Sequence, residues 1–216
     1  MLNRGIWYID FMPSRNTIKE YAPESYYHVY ARGLNKEKIF REARDYHHFY
    51  DLMERYFSTK PLFSATGERY PCFKDRVSVN AYCLMTNHFH LLVYQEEIDD
   101  LQAFMRSVMT SYSKYFNKKY KRTGPVFESR YKASRISTEQ YLMHITRYIH
   151  LNPRRWENYY NSSLKYYLNG GEPEWLNPKP ILGMFDSRLE YKEFVADYEE
   201  MRDMLAEMKY ELADQS

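Results

Sequence analysis

Cysteine is scarce in this chain of 216 residues, and Cys72 and Cys83 do not form a C-x-x-C pair. Neither a disulfide framework nor a cysteine-rich zinc site is therefore indicated. No apolar stretch approaches the roughly 20 residues of a membrane span, and no apolar signal core precedes Tyr26. The seven glycines form no phosphate-binding loop. These absences favour a reduced, cytoplasmic protein that does not use a nucleoside triphosphate.

Net charge is also small, at +2, but it is unevenly distributed. Residues 186–216 carry ten acids and four bases, which leaves 27 bases and 19 acids in residues 1–185. A basic body favours polyanionic partners, although an ordinary solvated surface explains the charge equally well.

The pattern of apolar and β-branched residues predicts four strands and three helices. They are a strand at 26–33, a helix at 37–57, strands at 77–85 and 88–95, a helix at about 98–119, a strand at 130–136 and a helix at 137–153. This β-α-β-β-α-β order predicts a ferredoxin-like α+β fold with one added helix. We expect helices on one face of an antiparallel sheet and an open second face.

Two regions follow from this reading. Residues 1–168 are predicted to form the functional domain, and residues 169–216 a C-terminal extension that is helical over 186–212. Because the extension is acidic, we expect residues 186–216 to be dispensable for chemistry on a polyanion.

The segment TNHFHLLVY, residues 86–94, places two histidines in an apolar strand. His88 and His90 share one face of the strand, about 6–7 Å apart. Thr86 and Asn87 predict a tight two-residue turn before them, in which Asn87 would tolerate a positive φ. The histidines are either metal ligands or ordinary polar strand residues.

The predicted last helix carries a second polar pattern. His144, Tyr148 and Asn152 are spaced at i, i+4 and i+8 and lie on one helix face. With His88 and His90 nearby, Asn152 would complete a metal site for Mg²⁺ or Mn²⁺ beside a tyrosine hydroxyl. Alternatively, Tyr148 is a core residue and Asn152 only ends the helix. His144 is interpreted as structural, or as a group that helps to activate Tyr148.

A more diffuse signal lies in residues 114–132, which hold seven bases, one acid and five aromatic residues. Phosphate-neutralising bases interleaved with rings are typical of single-stranded nucleic-acid binding. The alternative is an amphipathic helix end whose rings are packed inside. The candidate DNA contacts are Lys114, Lys118, Lys121, Arg130 and Lys132, followed by Arg32, Arg154 and Arg155.

Together these segments resemble a known family. MTNHFHLLV followed by RYIHLNP is similar to the REP-associated tyrosine transposases, which are HUH nucleases with a single catalytic tyrosine. YHVYARGLNKEKIF, GPVFESRYKA and NSSLKYYL also resemble family segments, so the likeness spans residues 26–168.

The resemblance implies specific roles. His88, His90 and Asn152 would bind Mg²⁺ or Mn²⁺, and Tyr148 would attack single-stranded DNA, with hairpin structure, to give a 5′-phosphotyrosine and a free 3′-OH. A second transfer would rejoin the strands, which is DNA transposition and recombination. The family includes monomers and homodimers, and no membrane is involved.

Two other functions remain open at this stage. The first is a domesticated, non-catalytic protein of the same fold that binds DNA hairpins. The second is an unrelated hydrolase in which His88 and His90 hold a metal that activates water.

Overall fold

The protein is described by a computed structural model over residues 21–197. Its main elements are β1 (Ser25–Arg32), α1 (Ala43–Phe57), β2 (Val77–Leu84), β3 (His88–Gln95), α2 (Asp100–Tyr120), β4 (Lys132–Ile136), α3 (Glu139–Leu151), α4 (Leu164–Asn169), α5 (Lys179–Leu182) and α6 (Arg188–Ala196). Short 3₁₀ turns occupy Leu34–Lys36 and Trp156–Asn158. Within this part of the chain, no helix combines the length and apolar character that a membrane crossing requires.

The four strands form one antiparallel sheet in the order β2-β3-β1-β4. This is the ferredoxin-like arrangement, so the predicted fold class is confirmed. The register places Arg32 opposite His88 and Tyr30 opposite His90. On its other side, Tyr30 lies opposite Lys132 of β4.

Side-chain alternation gives the sheet two different faces. Val29, Phe89 and Leu91 belong to the core that the sheet shares with α1 and α2. The second face was predicted to be open, but this is only partly correct. Helix α3 packs against β2 and β3, because its apolar side joins Cys83 and Leu92 in a second core. What remains accessible is a cleft beside α3.

The first helix begins later than predicted, at Ala43 rather than at residue 37. Glu42 and Asp45 form a capping box, in which each side chain accepts a hydrogen bond from the other residue's backbone N–H. Asp45 is fully buried and forms an ion pair with Lys119.

A short turn joins β2 to β3 as predicted, but it does not use the positive φ that Asn87 would tolerate. Neither Thr86 nor Asn87 has a positive φ. Instead, the Thr86 carbonyl accepts hydrogen bonds from the backbone N–H groups of Ile39 and Phe40, both at 2.9 Å. The Asn87 carbonyl accepts one from the N–H of Gly33 at 2.8 Å. The chain before α1 therefore fixes the turn, which makes positive-φ turn geometry unnecessary.

The described part of the C-terminal extension packs against the tyrosine-bearing helix. Within the predicted helix 186–212, the structure shows α6, and residues 198–212 lie outside the described residues. Tyr191 and Val195 of α6 are fully buried, and the Tyr191 hydroxyl lies 2.6 Å from His150 Nδ1 of α3. A deletion from residue 186 would expose this core, so the structure argues against the expected dispensability. The division at residue 168 stays a prediction.

Replacing Tyr191 with alanine is expected to destabilise the protein by about 3–5 kcal/mol, the usual cost of truncating a large buried aromatic side chain. Urea unfolding would measure the free energy of unfolding. Leu189→Ala, on the same helix but 62% exposed, is the matched control and should stay within about 0.5 kcal/mol of wild type. Equal stability of Tyr191→Ala and wild type would mean that α6 does not support α3.

Candidate functional site

The two histidines of β3 share one face of the strand, as predicted, and this is the second face of the sheet. Their ring centroids are 5.1 Å apart and the rings are nearly perpendicular, at 87°. His90 is buried and His88 is partly exposed. His88 therefore lies at the mouth of the cleft and His90 deeper inside it.

Hydrogen bonds define which nitrogen of His88 carries the proton. Asn87 Nδ2 donates to the Lys36 carbonyl at 3.2 Å, which turns Asn87 Oδ1 towards His88 Nδ1 at 2.7 Å. Since a carboxamide oxygen only accepts, His88 Nδ1 must be the donor. A neutral His88 then has its lone pair on Nε2, which faces a second acceptor, Asn152 Oδ1, at 3.2 Å. These two acceptor atoms cannot hydrogen-bond to each other, but a cation between them would pair with both.

His90 is oriented in the same way by a third histidine. The Asn152 amide nitrogen lies 3.2 Å from His90 Nε2. Because the amide nitrogen donates, His90 Nε2 is the acceptor, and His90 Nδ1 carries the proton. His90 Nδ1 then donates to His28 Nε2 at 2.9 Å. Burial lowers the pKa of His28 to about 4, which keeps its ring neutral and its Nε2 able to accept.

Asn152 brings the third donor atom to the histidines. It follows the last residue of α3, and its Oδ1 lies 3.2 Å from His88 Nε2. Within residues 21–197 no three His, Cys, Asp or Glu side chains form a metal-binding group. Two imidazole nitrogens and one amide oxygen nevertheless suit a divalent cation that keeps open positions for other oxygen ligands.

Tyr148 projects from α3 into the same cleft. Its ring meets the rings of His28 and His90 edge-on, with centroids 5.6 and 5.4 Å away. Burial raises the pKa of the Tyr148 hydroxyl well above its usual range, and a hydrogen bond from Asn152 and the charge of Arg32 oppose this. The residue is only 2% exposed, so its phenol is protonated and held in place.

The cleft has a volume of about 270 Å³. It is lined by Tyr30, Arg32, Met85, His88, His90, Tyr148 and Asn152. The Tyr30 hydroxyl is buried and makes no hydrogen bond with the residues that the structure describes. The Arg32 guanidinium lies over the Tyr30 ring, 5.4 Å from its centroid. A cation and an unused phenol thus face a cleft that also holds the candidate nucleophile, which suits an anionic ligand.

Two of the predicted DNA contacts lie at or next to this cleft. Arg32 lines it, and Lys132 is beside Tyr30 on the neighbouring strand. Burial lowers the pKa of Lys132, and the charge of Arg32 lowers it further. Arg154 and Arg155 are exposed and follow Asn152 closely in the chain.

The other predicted contacts are not brought to the cleft. Lys114 and Lys118 are exposed on α2, which covers the opposite face of the sheet, and Lys121 follows the end of that helix. Arg130 is exposed just before β4. Their role in DNA binding stays a prediction. His144 points towards α6, where it contacts the Arg147 side chain and the Phe194 ring.

Comparisons with known proteins bear on this arrangement. The family of IS200-like transposases matches residues 68–152. The resemblance to single-tyrosine transposases is confirmed. The transposase match runs from before β2 to Asn152 and so contains both the paired histidines and Tyr148. None of the curated proteins matches the chain.

A solved structure has the same fold. It is a REP-associated tyrosine transposase bound to a REP hairpin, with a TM-score of 0.51 and 15% sequence identity. The alignment covers 73% of this chain and 88% of that one. At this identity the likeness establishes the fold alone, and the family match covers less than half of the chain.

Proposed function

We propose that this chain is a metal-dependent transposase that cleaves and rejoins single-stranded DNA through Tyr148. The observation that carries this proposal is the convergence of four side chains in one cleft. His88 and Asn152 are 64 positions apart in the sequence, yet their ligating atoms lie 3.2 Å apart. His90 and Tyr148 complete the group.

The donor atoms for the metal are His88 Nε2, His90 Nε2 and Asn152 Oδ1, which would hold Mg²⁺ or Mn²⁺. When bound, the ion would supply positive charge that polarises the scissile phosphate and favours loss of the phenol proton. The protein contributes the orientation of the ligands, since Asn87 and His28 fix the two imidazoles.

The proposed chemical step is an exchange of phosphoester bonds. Tyr148 Oη forms a bond to the scissile phosphorus, and the bond from phosphorus to the 3′ oxygen breaks. The phenol loses one proton and the departing 3′ oxygen gains one, so the products are a 5′-phosphotyrosine and a free 3′-OH. The reverse reaction with another 3′-OH rejoins strands without a nucleoside triphosphate, because the phosphotyrosine link conserves the phosphoester.

Arg32 and Tyr30 are suited to hold the phosphate during this step. The guanidinium donates charge-assisted hydrogen bonds to phosphate oxygens, and the buried Tyr30 hydroxyl gains an acceptor that it lacks among the described residues. Both side chains come from β1, a central strand of the sheet, so their position is rigid.

The proposed substrate is single-stranded DNA that carries a hairpin, as does the ligand of the solved relative. All four proposed catalytic and metal-binding residues come from one chain. This arrangement supports a monomer as the active form, with a homodimer as the alternative.

The decisive experiment is incubation of the protein with a library of single-stranded hairpin oligonucleotides and Mn²⁺. We expect a protein–DNA adduct that survives denaturation. Cleavage without an adduct would favour the water-activating hydrolase. Hairpin binding with neither cleavage nor adduct would favour the domesticated binding protein.

Replacing His28 with alanine is expected to weaken Mn²⁺ binding by about 10–100-fold, the usual effect of losing the partner that orients a ligating histidine. The change removes the acceptor of His90 Nδ1 and leaves all three donor atoms in place. Titration of the Mn²⁺ signal by electron paramagnetic resonance would measure it. His144→Ala is the matched control and should bind Mn²⁺ as wild type does. Equal affinity of both variants would show that His28 does not position His90.

A further inference from the structure

A second pocket, of about 350 Å³, lies on the other side of the β2–β3 turn from the catalytic cleft. We call it the turn pocket and define it by Lys38, Arg41, Tyr46, Tyr50, Thr86 and Tyr160. The two cavities have no lining residue in common, but Met85 lines the cleft and the next residue, Thr86, lines the turn pocket. Its volume is within the range of small-molecule sites, about 300–1,000 Å³.

Aromatic rings form much of the turn pocket. Tyr46 stacks on the buried Phe40, with ring centroids 4.6 Å apart and an interplanar angle of 13°, so its orientation is fixed. The Tyr50 hydroxyl donates to Asn161 Oδ1 at 3.2 Å, which holds the Asn161 amide at the pocket wall. Tyr160 is 69% exposed, so its ring is accessible to a ligand.

The charge at the rim is positive. Lys38 lines the pocket and is exposed. Arg41 also lines it, but its guanidinium lies over the Tyr120 ring of α2, 4.6 Å from the centroid, and so is directed away from the pocket. The Lys165 ammonium lies over the Tyr160 ring, 3.9 Å from its centroid. Glu42, an acid in the lining, forms an ion pair with Lys119 at 2.7 Å, which offsets its charge. Rings for stacking beside cations for phosphate are the combination that binds single-stranded nucleic acid.

The turn pocket is held rigidly relative to the cleft. The Thr86 carbonyl accepts the backbone N–H groups of Ile39 and Phe40, and Asn87 Nδ2 donates to the Lys36 carbonyl. The segment that carries Lys38 is thereby tied to the turn that precedes His88. A DNA strand that has a phosphate at His88 and runs across the turn therefore places a neighbouring nucleotide at the turn pocket.

We propose that the turn pocket binds one unpaired nucleobase of the DNA strand that enters the cleft. This inference rests on the proposed function for the identity of the strand. The base stacks on the Tyr160 ring, and Lys38 contacts an adjoining phosphate. A base within a duplex is stacked on both faces and cannot enter, so the pocket selects single-stranded DNA.

The test compares two single-stranded probes of equal length, an oligothymidylate and a strand of abasic residues. Binding is measured by fluorescence anisotropy in chelator, where the proposed cleavage does not occur. Tyr160→Ala should weaken binding of oligothymidylate by about tenfold and binding of the abasic strand by less than about twofold. Lys38→Gln should weaken binding of both probes equally. It should also reduce the number of counterions released on binding, measured from the salt dependence of the affinity, by about one.

Phe63→Ala is the matched control, since Phe63 is 61% exposed in the loop before β2 and does not line either cavity. It should bind both probes as wild type does. Because Tyr160 is exposed, its alanine variant should fold normally, which circular dichroism would verify. Wild-type affinity of Tyr160→Ala for oligothymidylate, or an equal loss on both probes, would overturn the proposal.

Failure of the proposed function would look different. If wild type forms no covalent adduct but Tyr160→Ala loses base-dependent binding, the turn pocket stands and the catalytic proposal does not. If the adduct forms on Tyr148 but Tyr160→Ala binds both probes normally, the catalytic proposal stands and the turn pocket does not. A wild-type protein that binds neither probe would overturn the turn pocket and the single-stranded substrate together.

Discussion

Tyr148→Phe is expected to abolish strand cleavage and adduct formation while single-stranded DNA binding stays at the wild-type level. The substitution removes one oxygen and keeps the ring that meets His28 and His90 edge-on. Loss of a nucleophile lowers the rate on the order of 10⁴-fold or more. Loss of the Tyr148 hydroxyl should cost only about 0.5–1.5 kcal/mol of stability, because the ring and its packing are kept. Denaturing gels would measure the adduct, and peptide mapping of the wild-type adduct should place the nucleotide on Tyr148.

Tyr30→Phe is the matched control, because Tyr30 is a second tyrosine of the same cleft. If its hydroxyl stabilises the phosphate, this variant should be slower by about 10²-fold but should still form the adduct on Tyr148. An adduct on Tyr30 or on Tyr141 would contradict the assignment of the nucleophile. Undiminished cleavage by Tyr148→Phe would favour a hydrolase that activates water.

The parts of the site that depend on local periodicity were predictable from the sequence. The two-residue period of a strand places His88 and His90 on one face, and the helical period places Tyr148 and Asn152 one turn apart. How α3 docks onto β3 is a tertiary feature that neither period determines. The family resemblance supplied that step, and the 3.2 Å contacts of Asn152 with both histidines agree with it.

The residues that sequence reasoning missed belong to contacts between strands distant in the chain. His28 and Tyr30 meet His90 because β1 pairs with β3 in one register, and a one-residue shift would turn them to the other face. The alternation of His28 and Tyr30 in β1 places both side chains on one face of the strand, which would have predicted their contact with His90 once β1 was known to pair with β3. The late start of α1 was missed because a capping box with glutamate at the N-cap is not the usual sequence signature.

The C-terminal extension is connected to the nucleophile through buried polar contacts. His150, two residues after Tyr148, lies 2.7 Å from the Ser163 hydroxyl and 2.6 Å from the Tyr191 hydroxyl. The Arg147 guanidinium donates to the Phe194 carbonyl of α6 at 2.9 Å. Buried polar groups are costly unless they are paired, so these contacts favour one position of α3 over others. The extension therefore helps to fix where the Tyr148 hydroxyl lies.

Removal of the metal site is the second change with a large expected effect. His88→Ala should lower cleavage on the order of 10³-fold or more, since the positive charge on the phosphate is worth several kcal/mol. DNA binding should stay largely intact, because Arg32 and the other proposed phosphate contacts remain. Chelator should have the same effect on wild type, and Mg²⁺ or Mn²⁺ should restore activity. Asn152→Ala should be milder, at about tenfold, because water can replace a neutral oxygen ligand.

His88 is the more informative of the two histidines, because it is partly exposed and its truncation leaves the core intact. His90 is buried, so His90→Gln, which keeps most of the side-chain volume, is the better variant at that position. His144→Ala, on the same helix as Tyr148 but directed towards α6, should cleave as wild type does. Full wild-type activity in chelator, or an active His88→Ala variant, would mean that the paired histidines are structural and that Tyr148 acts without a metal.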